Sequence, residues 1–239
     1  MQVSTRALVF SSVKYAEADL IVTCFTQKFG LKSYLLRGIL KSKKGKLRIS
    51  MFQPLSLLQI EAFHKDKGTL ERINEAKVIL PYKTLHTEVI KSSLVLFLSE
   101  ILKNAVKEEE ANTSLFHFIE EALFWLDENE KIANFHLLFL LKLTNFLGFY
   151  PDFSEKEAPY FNLEEGNFQE SSIGLICEEG DAITILKQLD TKGFNTLSEI
   201  KIAKSERIKT LHLLLKYYQL HIQGYRTPKS LPVLTQLFQ

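Results

Sequence analysis

The sequence has 239 residues, 46% of them apolar and 24% charged, a globular composition that excludes a disordered chain. The formal net charge is only +2, but it is unevenly spread. Residues 1–60 hold ten Lys/Arg against Glu17 and Asp19, and the other 179 hold twenty against twenty-six acids; such a split points to an anion-binding N-terminal end. Two distant cysteines, Cys24 and Cys177, with no CxxC, suit a reducing compartment and give no zinc spacing. The N-terminus lacks a signal-peptide pattern, and the apolar run near Phe135–Leu141 is too short to cross a bilayer. A cytoplasmic protein is expected.

The first eighty residues read as strands. "RALVFSSVKY" is a short β-type run ending in a Ser-Ser turn. "DLIVTCFTQKFG" is rich in β-branched and aromatic residues and stops at Gly30; "LKSYLLRG" follows and stops at Gly38. The short Lys28–Leu31 link predicts a hairpin between them. "PLSLLQIEAF" and "GTLERINEAKVIL" complete five strand-length segments with turn punctuation. Five short strands suit an OB-fold, a partly open Greek-key barrel; an SH3-like barrel or a plain meander fits the pattern almost as well.

Between the third and fourth strands lies "RGILKSKKGKLRIS", residues 37–50, with six basic residues and no acidic one. Phosphate binding needs positive charge that can track a backbone, and little fixed geometry. Tyr15, Phe29, Tyr34 and Phe52 are the nearby aromatics that could stack bases, each equally readable as core.

From Thr84 the apolar period changes to that of a helix. "TLHTEVIKSSLVLFLSEILKNAV" carries an apolar face of Val89, Leu94, Leu96, Phe97, Ile101 and Leu102. Asn112 is placed to cap the next segment, "SLFHFIEEALFWLDENE". "KIANFHLLFLLKLTNFLGFYP" is apolar nearly all round, as a buried central helix is, and Gly148 and Pro151 end it. Residues 151–180 read as an irregular insert or small hairpin. Thr196 to Glu199 is a capping-box candidate. In the last long helix Lys209, His212, Lys216, Gln219 and Gln223 form one polar stripe, expected to face water. A basic tail, "GYRTPKSLPVL", follows. The fold class expected is α+β: a barrel domain over 1–80, then an α-helical domain over 81–239 with the insert at about 151–180.

No G-x-S-x-G, P-loop, G-x-G-x-x-G or H-E-x-x-H occurs. The six histidines stand singly, so no catalytic residue, cofactor or metal is expected, and the chain reads as a binding protein rather than an enzyme.

Several stretches resemble the RecO family of bacterial recombination mediators, nearly end to end. These are the opening with Tyr15-Ala16-Glu17 and Arg37-Gly38, the basic run leading into Gln53-Pro54-Leu55, "LLKLTNFLGFYPDF", "YFNLEEGNF" and "PKSLPVL". Many members carry two CxxC pairs in the insert; here it has Cys177 alone, so packing of Tyr160, Phe161, Phe168 and Ile176 is expected to hold it. The resemblance implies binding of single- and double-stranded DNA, strand annealing, partnership with RecR, and help in loading RecA onto DNA coated by single-strand-binding protein (SSB). It implies a nucleoid-associated location and binding of the acidic SSB C-terminal tail. On that basis Arg37, Lys41, Lys43, Lys44, Lys46 and Arg48 are expected to touch phosphate, with Lys14, Lys32 and Arg6 at the barrel edge. Lys142, Lys216, Arg226 and Lys229 are the candidates for the SSB tail. The competing reading is an RNA- or protein-binding adaptor without a recombination role.

Overall fold

The computed structural model describes residues 1–42, 46–65, 70–107 and 110–238. Five strands come first: β1 (Gln2–Tyr15), β2 (Asp19–Thr26), β3 (Gly30–Leu36), β4 (Leu57–Phe63) and β5 (Arg72–Val78). They form one antiparallel sheet in the order β3-β2-β1-β4-β5. The sheet closes where Leu35 donates its N–H to the Glu71 carbonyl at 2.9 Å and Glu71 donates to the Ser33 carbonyl at 2.8 Å, a parallel bridge between β3 and the start of β5. The result is a five-stranded OB-type barrel, which has no open edge between its first and last strands.

Alternation fills it. Leu20, Val22 and Cys24 of β2, Tyr34 and Leu36 of β3, and Leu58, Ile60 and Ala62 of β4 point inward and are buried. Burial pushes the Cys24 thiol up to about 12, so it stays a protonated, inert core residue. The β2–β3 hairpin forms as expected, with Gly30 at φ 61° and the Thr26 hydroxyl donating to its carbonyl at 2.8 Å.

One strand is longer than its sequence suggests. Ser11-Ser12 is not a turn: β1 runs through it, with Ser11 opposite Thr23 and Ser12 opposite Val22 after a bulge between Val9 and Ser11. A bulge lets a long strand bend around the barrel, and the Ser12 hydroxyl donates to the Phe52 carbonyl at 2.6 Å.

Two helices, α1 (Val89–Ala105) and α2 (Thr113–Glu128), complete the first compact unit, Met1–Asp127. The periodicity break near 80 marks the last strand, while packing carries the unit on to Asp127. Phe10 and Phe25 stack with centroids 5.5 Å apart on the sheet's outer face, and Phe116 of α2 lies 6.1 Å from Phe25. The Asn112 side-chain carbonyl accepts from the Leu115 N–H at 3.0 Å and caps α2. Val89, Leu96 and Phe124 lie outside the buried face: they are 67%, 44% and 50% exposed. Asp127 ties the connection after β5 to α2. Its buried carboxylate accepts from the backbone N–H groups of Lys83, Thr84 and Leu85 and from the Thr84 hydroxyl. Burial would raise its pKa, but these donors outweigh burial and hold the carboxyl below the usual range.

The second unit, Glu128–Gln239, is built around α3 (Phe135–Phe146), buried from Phe135 through Leu141. Around it lie α4 (Asp181–Asp190), the 3-10 turn Phe194–Glu199, α5 (Lys204–His221) and α6 (Leu231–Leu237). The basic tail thus ends in a short helix, with Pro232 in its first turn, where the ring costs no hydrogen bond. Thr196 does not open a helix; Gly193 does, and the Thr196 hydroxyl accepts from its N–H at 3.2 Å. The stripe residues Lys209, His212, Lys216 and Gln219 of α5 are exposed, as their spacing predicts; Gln223 is exposed too but lies beyond the helix, which ends at His221. The insert forms a three-stranded sheet, β6 (Tyr160–Asn162), β7 (Asn167–Gln169) and β8 (Cys177–Glu178), in the order β7-β6-β8.

Among the described residues no helix is long and apolar enough to cross a membrane.

Candidate nucleic-acid interface

The basic segment leaves β3 at Arg37, and its described ends are laid against the barrel. Gly38 has φ 68°, a left-handed geometry that glycine adopts at no cost, and its N–H donates to the Asp19 carboxylate at 2.8 Å. The Leu40 N–H donates to the Ala18 carbonyl at 3.0 Å, and Ile39 is buried. Lys41 reaches Glu17 of the β1–β2 turn at 3.2 Å. At the far side Lys46 pairs with Glu75 of β5, and Leu47 packs on the barrel core. A hollow of about 200 Å3 lies among Leu36, Arg37, Ile39, Ser42, Lys46 and Leu47. The described ends of the segment are therefore held by the apolar anchors Ile39 and Leu47 and by backbone hydrogen bonds, with two exposed ion pairs alongside. Lys43 and Lys44 lie outside the described residues.

Arg37, Lys41, Lys46, Arg48 and Lys14 are exposed, and Lys32 is half-buried. Arg6 is committed elsewhere: it pairs with Glu120 of α2, and its guanidinium sits 5.5 Å from the Phe116 ring centre. His117, also bonded to Glu120 at 3.3 Å, belongs to the same contact. Exposed lysine pairs such as Lys41–Glu17 are worth little in water, so a phosphate can take either cation at small cost.

The aromatics separate cleanly. Tyr34 is buried, its hydroxyl 2.9 Å from His64 Nε2, and Phe52 is buried too. Phe29 meets the His64 ring edge-on at 5.0 Å. Tyr15 is 52% exposed and is the one candidate whose ring offers a face to a ligand. Strand register adds what the sequence alone did not mark: Val13, Ile21 and Leu35 lie side by side on β1, β2 and β3, an outward apolar row beside Tyr15. The Ser-Ser misreading hid it, because ending β1 at Ser11 leaves Val13 and Tyr15 in a loop.

Lys142 and Lys216 are held by different partners. Lys142 donates to the Asp190 carbonyl at 2.9 Å and to the Tyr150 hydroxyl at 3.3 Å, while Tyr150 donates to the Asp190 carboxylate at 2.7 Å. Burial lowers the Lys142 pKa and Asp190 opposes the shift. Lys216 pairs with Glu178 at 2.8 Å, beside a cleft of about 500 Å3 that also takes in Lys209 and His212. Arg226 and Lys229 are exposed.

With that geometry in place, likeness to known proteins is decisive. Residues 1–82 match the model of the recombination protein O N-terminal region, and residues 86–231 that of its C-terminal region. The chain belongs to the recombination protein O (RecO) family. Proteins named DNA repair protein RecO are 48% identical in Christiangramia forsetii and 46% in Flavobacterium psychrophilum, each over 100% of both chains. The one from Bacteroides fragilis is 34% identical over 98% of both. The family places the chain in DNA repair and recombination, and its N-terminal region is the barrel that carries the basic segment.

The zinc module of many RecO-family members does not fit this insert. A structural zinc site needs four Cys or His donors, and the insert holds Cys177 alone, whose thiol donates to the Ile173 carbonyl at 3.1 Å. Phe161 and Phe168, 4.9 Å apart, pack there as expected, with Tyr160 and Ile176 only partly buried. The larger support comes from α5, which sequence reasoning missed. Tyr217 lies 5.7 Å from Phe161 and donates to the Phe149 carbonyl at 2.9 Å, and His221 bonds the Leu163 carbonyl at 2.9 Å.

Proposed function

We propose that the chain is a recombination mediator that works by binding, without making or breaking covalent bonds. Single- and double-stranded DNA lie against the barrel. Arg37, Lys41, Lys43, Lys44, Lys46 and Arg48 take phosphates, Lys14 and Lys32 add charge at the edge, and single-strand bases rest on Tyr15 and the Val13–Ile21–Leu35 row. The observation that carries this reading is the anchoring of both described ends of the basic segment on a closed OB-type barrel, beside an exposed tyrosine and an apolar row. The β2–β3 surface is where such barrels take oligonucleotides. Arg6 is left out of the contact set, since Glu120 and Phe116 occupy it.

Annealing follows from the same charge. Two complementary polyanions repel, and a cationic surface lowers that repulsion while leaving base edges free. Family membership supports RecR, SSB and, indirectly, RecA as partners, with the SSB tail on the helical unit, and work in the cytoplasm at the nucleoid. For the tail, Lys142, Lys216, Arg226 and Lys229 remain the candidates; Lys142 is engaged by Asp190 and Tyr150 and Lys216 by Glu178, so an incoming carboxylate has to displace those contacts.

The test is annealing of complementary oligonucleotides coated with SSB. The protein is expected to accelerate it, and a variant with Lys41, Lys43, Lys44 and Lys46 changed to Gln to lose most of that acceleration. No acceleration by the unaltered protein would overturn the mediator reading in favour of an adaptor.

A further inference from the structure

The insert exposes apolar side chains on a loop that is firmly held. Ile173 is 69% exposed and Leu175 is 91% exposed, and they flank Gly174. The Ile173 carbonyl accepts three donors: Gln169 Nε2 at 2.5 Å, Cys177 Sγ at 3.1 Å and Asn162 Nδ2 at 3.3 Å. Its N–H donates to the Ser171 carbonyl at 2.8 Å. Gly174 has φ 116°, and a Cβ there would stand 2.8 Å from Asn162 Nδ2. This backbone path is built, and it presents two aliphatic side chains to water. Monomeric surfaces bear single exposed aliphatics freely; a paired knuckle on a fixed loop is an interaction feature.

Its surroundings select the partner. Residues 151–180 hold eight acidic residues and one base, Lys156. That field repels nucleic acid and anionic lipid, and it favours a cationic surface with apolar ground between the charges. The chain itself has such a surface. Residues 1–60 carry ten Lys/Arg against two acids, and Val13, Tyr15 and Ile49, each more than half exposed, lie in the same segment as Lys14, Arg37 and Arg48.

We propose that the Ile173–Leu175 knuckle of one copy docks on the basic barrel surface of a second copy, and that DNA competes for that surface. The two patches differ, so the contact is heterologous and adds copies head to tail. Few side chains meet, so the association belongs to the weak, transient class. It stores the protein with its DNA-binding surface covered and releases it to a polyanion. The competition rests on the reading given under Proposed function; the self-association does not.

Sedimentation velocity of the full chain over a range of concentrations tests this. At about 0.1 M salt the weight-average sedimentation coefficient is expected to rise with concentration. Near 1 M salt, where the screening length falls from about 10 Å to about 3 Å, it is expected to stay close to the monomer value. Ile173→Ser with Leu175→Ser removes the rise, and Leu175→Asp alone does the same should the double variant unfold. Arg37→Glu with Arg48→Glu also removes it. Mixing the knuckle variant with the barrel variant leaves one intact contact and yields dimers and nothing larger. A wild-type chain monomeric at every concentration in low salt overturns the proposal, and so does a knuckle variant that associates as wild type does. Adding a single-stranded oligonucleotide separates the two readings. If it binds and the assemblies persist, the barrel is not the docking surface. If it does not bind at all, the DNA reading fails while the self-association stands.

Discussion

The barrel and the insert are both small antiparallel sheets, and they are stabilised by opposite means. The barrel closes through Ser33, Glu71 and Leu35 and buries its own side chains inside. The insert has strands of two or three residues and little interior. It borrows its support from Tyr217 and His221 of α5 and from Lys187 of α4, whose ammonium donates to the Ala158 carbonyl at 2.8 Å. A sheet that fills its own core leaves its outer surface free for a ligand. A sheet that borrows its core spends one face on its neighbour. Their charges are opposite as well, so the two regions attract different partners. Changes in one should register in stability, and changes in the other in affinity.

The largest effect is expected in the insert, at Gly166. Its φ is 69°, and a methyl there would overlap the Tyr217 hydroxyl. Gly166→Ala combines a left-handed backbone penalty with overpacking and is expected to cost roughly 2–4 kcal/mol, read by denaturant unfolding. Oligonucleotide affinity should be unchanged, and a parallel loss would break the separation between the regions.

Next is Asp127, beside the barrel. Asp127→Asn removes the charge from a carboxylate that accepts three backbone N–H groups and a hydroxyl, a loss of about 2 kcal/mol at pH 7. The folded pKa lies below the unfolded value of about 3.9. The stabilisation is therefore complete above about pH 4 and disappears as the pH falls through the lower folded value. Unfolding wild type and variant at neutral and acid pH should show the gap closing toward acid. A gap that stays constant would show that the hydrogen bonds act without the charge.

The strands were legible in the sequence wherever alternation and turn residues agreed, as in β2, β3 and β4. Legibility failed where a turn-forming residue was overridden by pairing. Ser11 and Ser12 continue β1 because Thr23 and Val22 face them across the bulge. It failed also where two segments distant in sequence meet. Glu17 and Glu75 hold Lys41 and Lys46, and Glu120 holds Arg6, partners that no local pattern reveals. The aromatic support of the insert has the same cause: Tyr217 lies 56 positions beyond Phe161, inside a helix whose pattern indicates only burial. The basic segment itself was plain from composition, but its apolar anchors Ile39 and Leu47 were not.

The smallest single-site effect is expected at Tyr15. Tyr15→Ala should weaken binding of a single-stranded oligonucleotide by about 1 kcal/mol, the low end for one stacked base, while duplex affinity and thermal stability hold. Equal losses on single and double strands would remove Tyr15 from base contact and leave only phosphate contacts on the barrel.

The claim that the basic segment is the DNA contact is tested most directly by the salt dependence of single-strand binding, measured by fluorescence anisotropy. With about five phosphate contacts, log K should fall against log salt with a slope of about −3.5. Changing Lys41, Lys43, Lys44 and Lys46 to Gln should flatten it markedly, leaving the contribution of Arg37 and Arg48, and weaken every sequence alike. A slope left unchanged by the four substitutions would contradict the assignment.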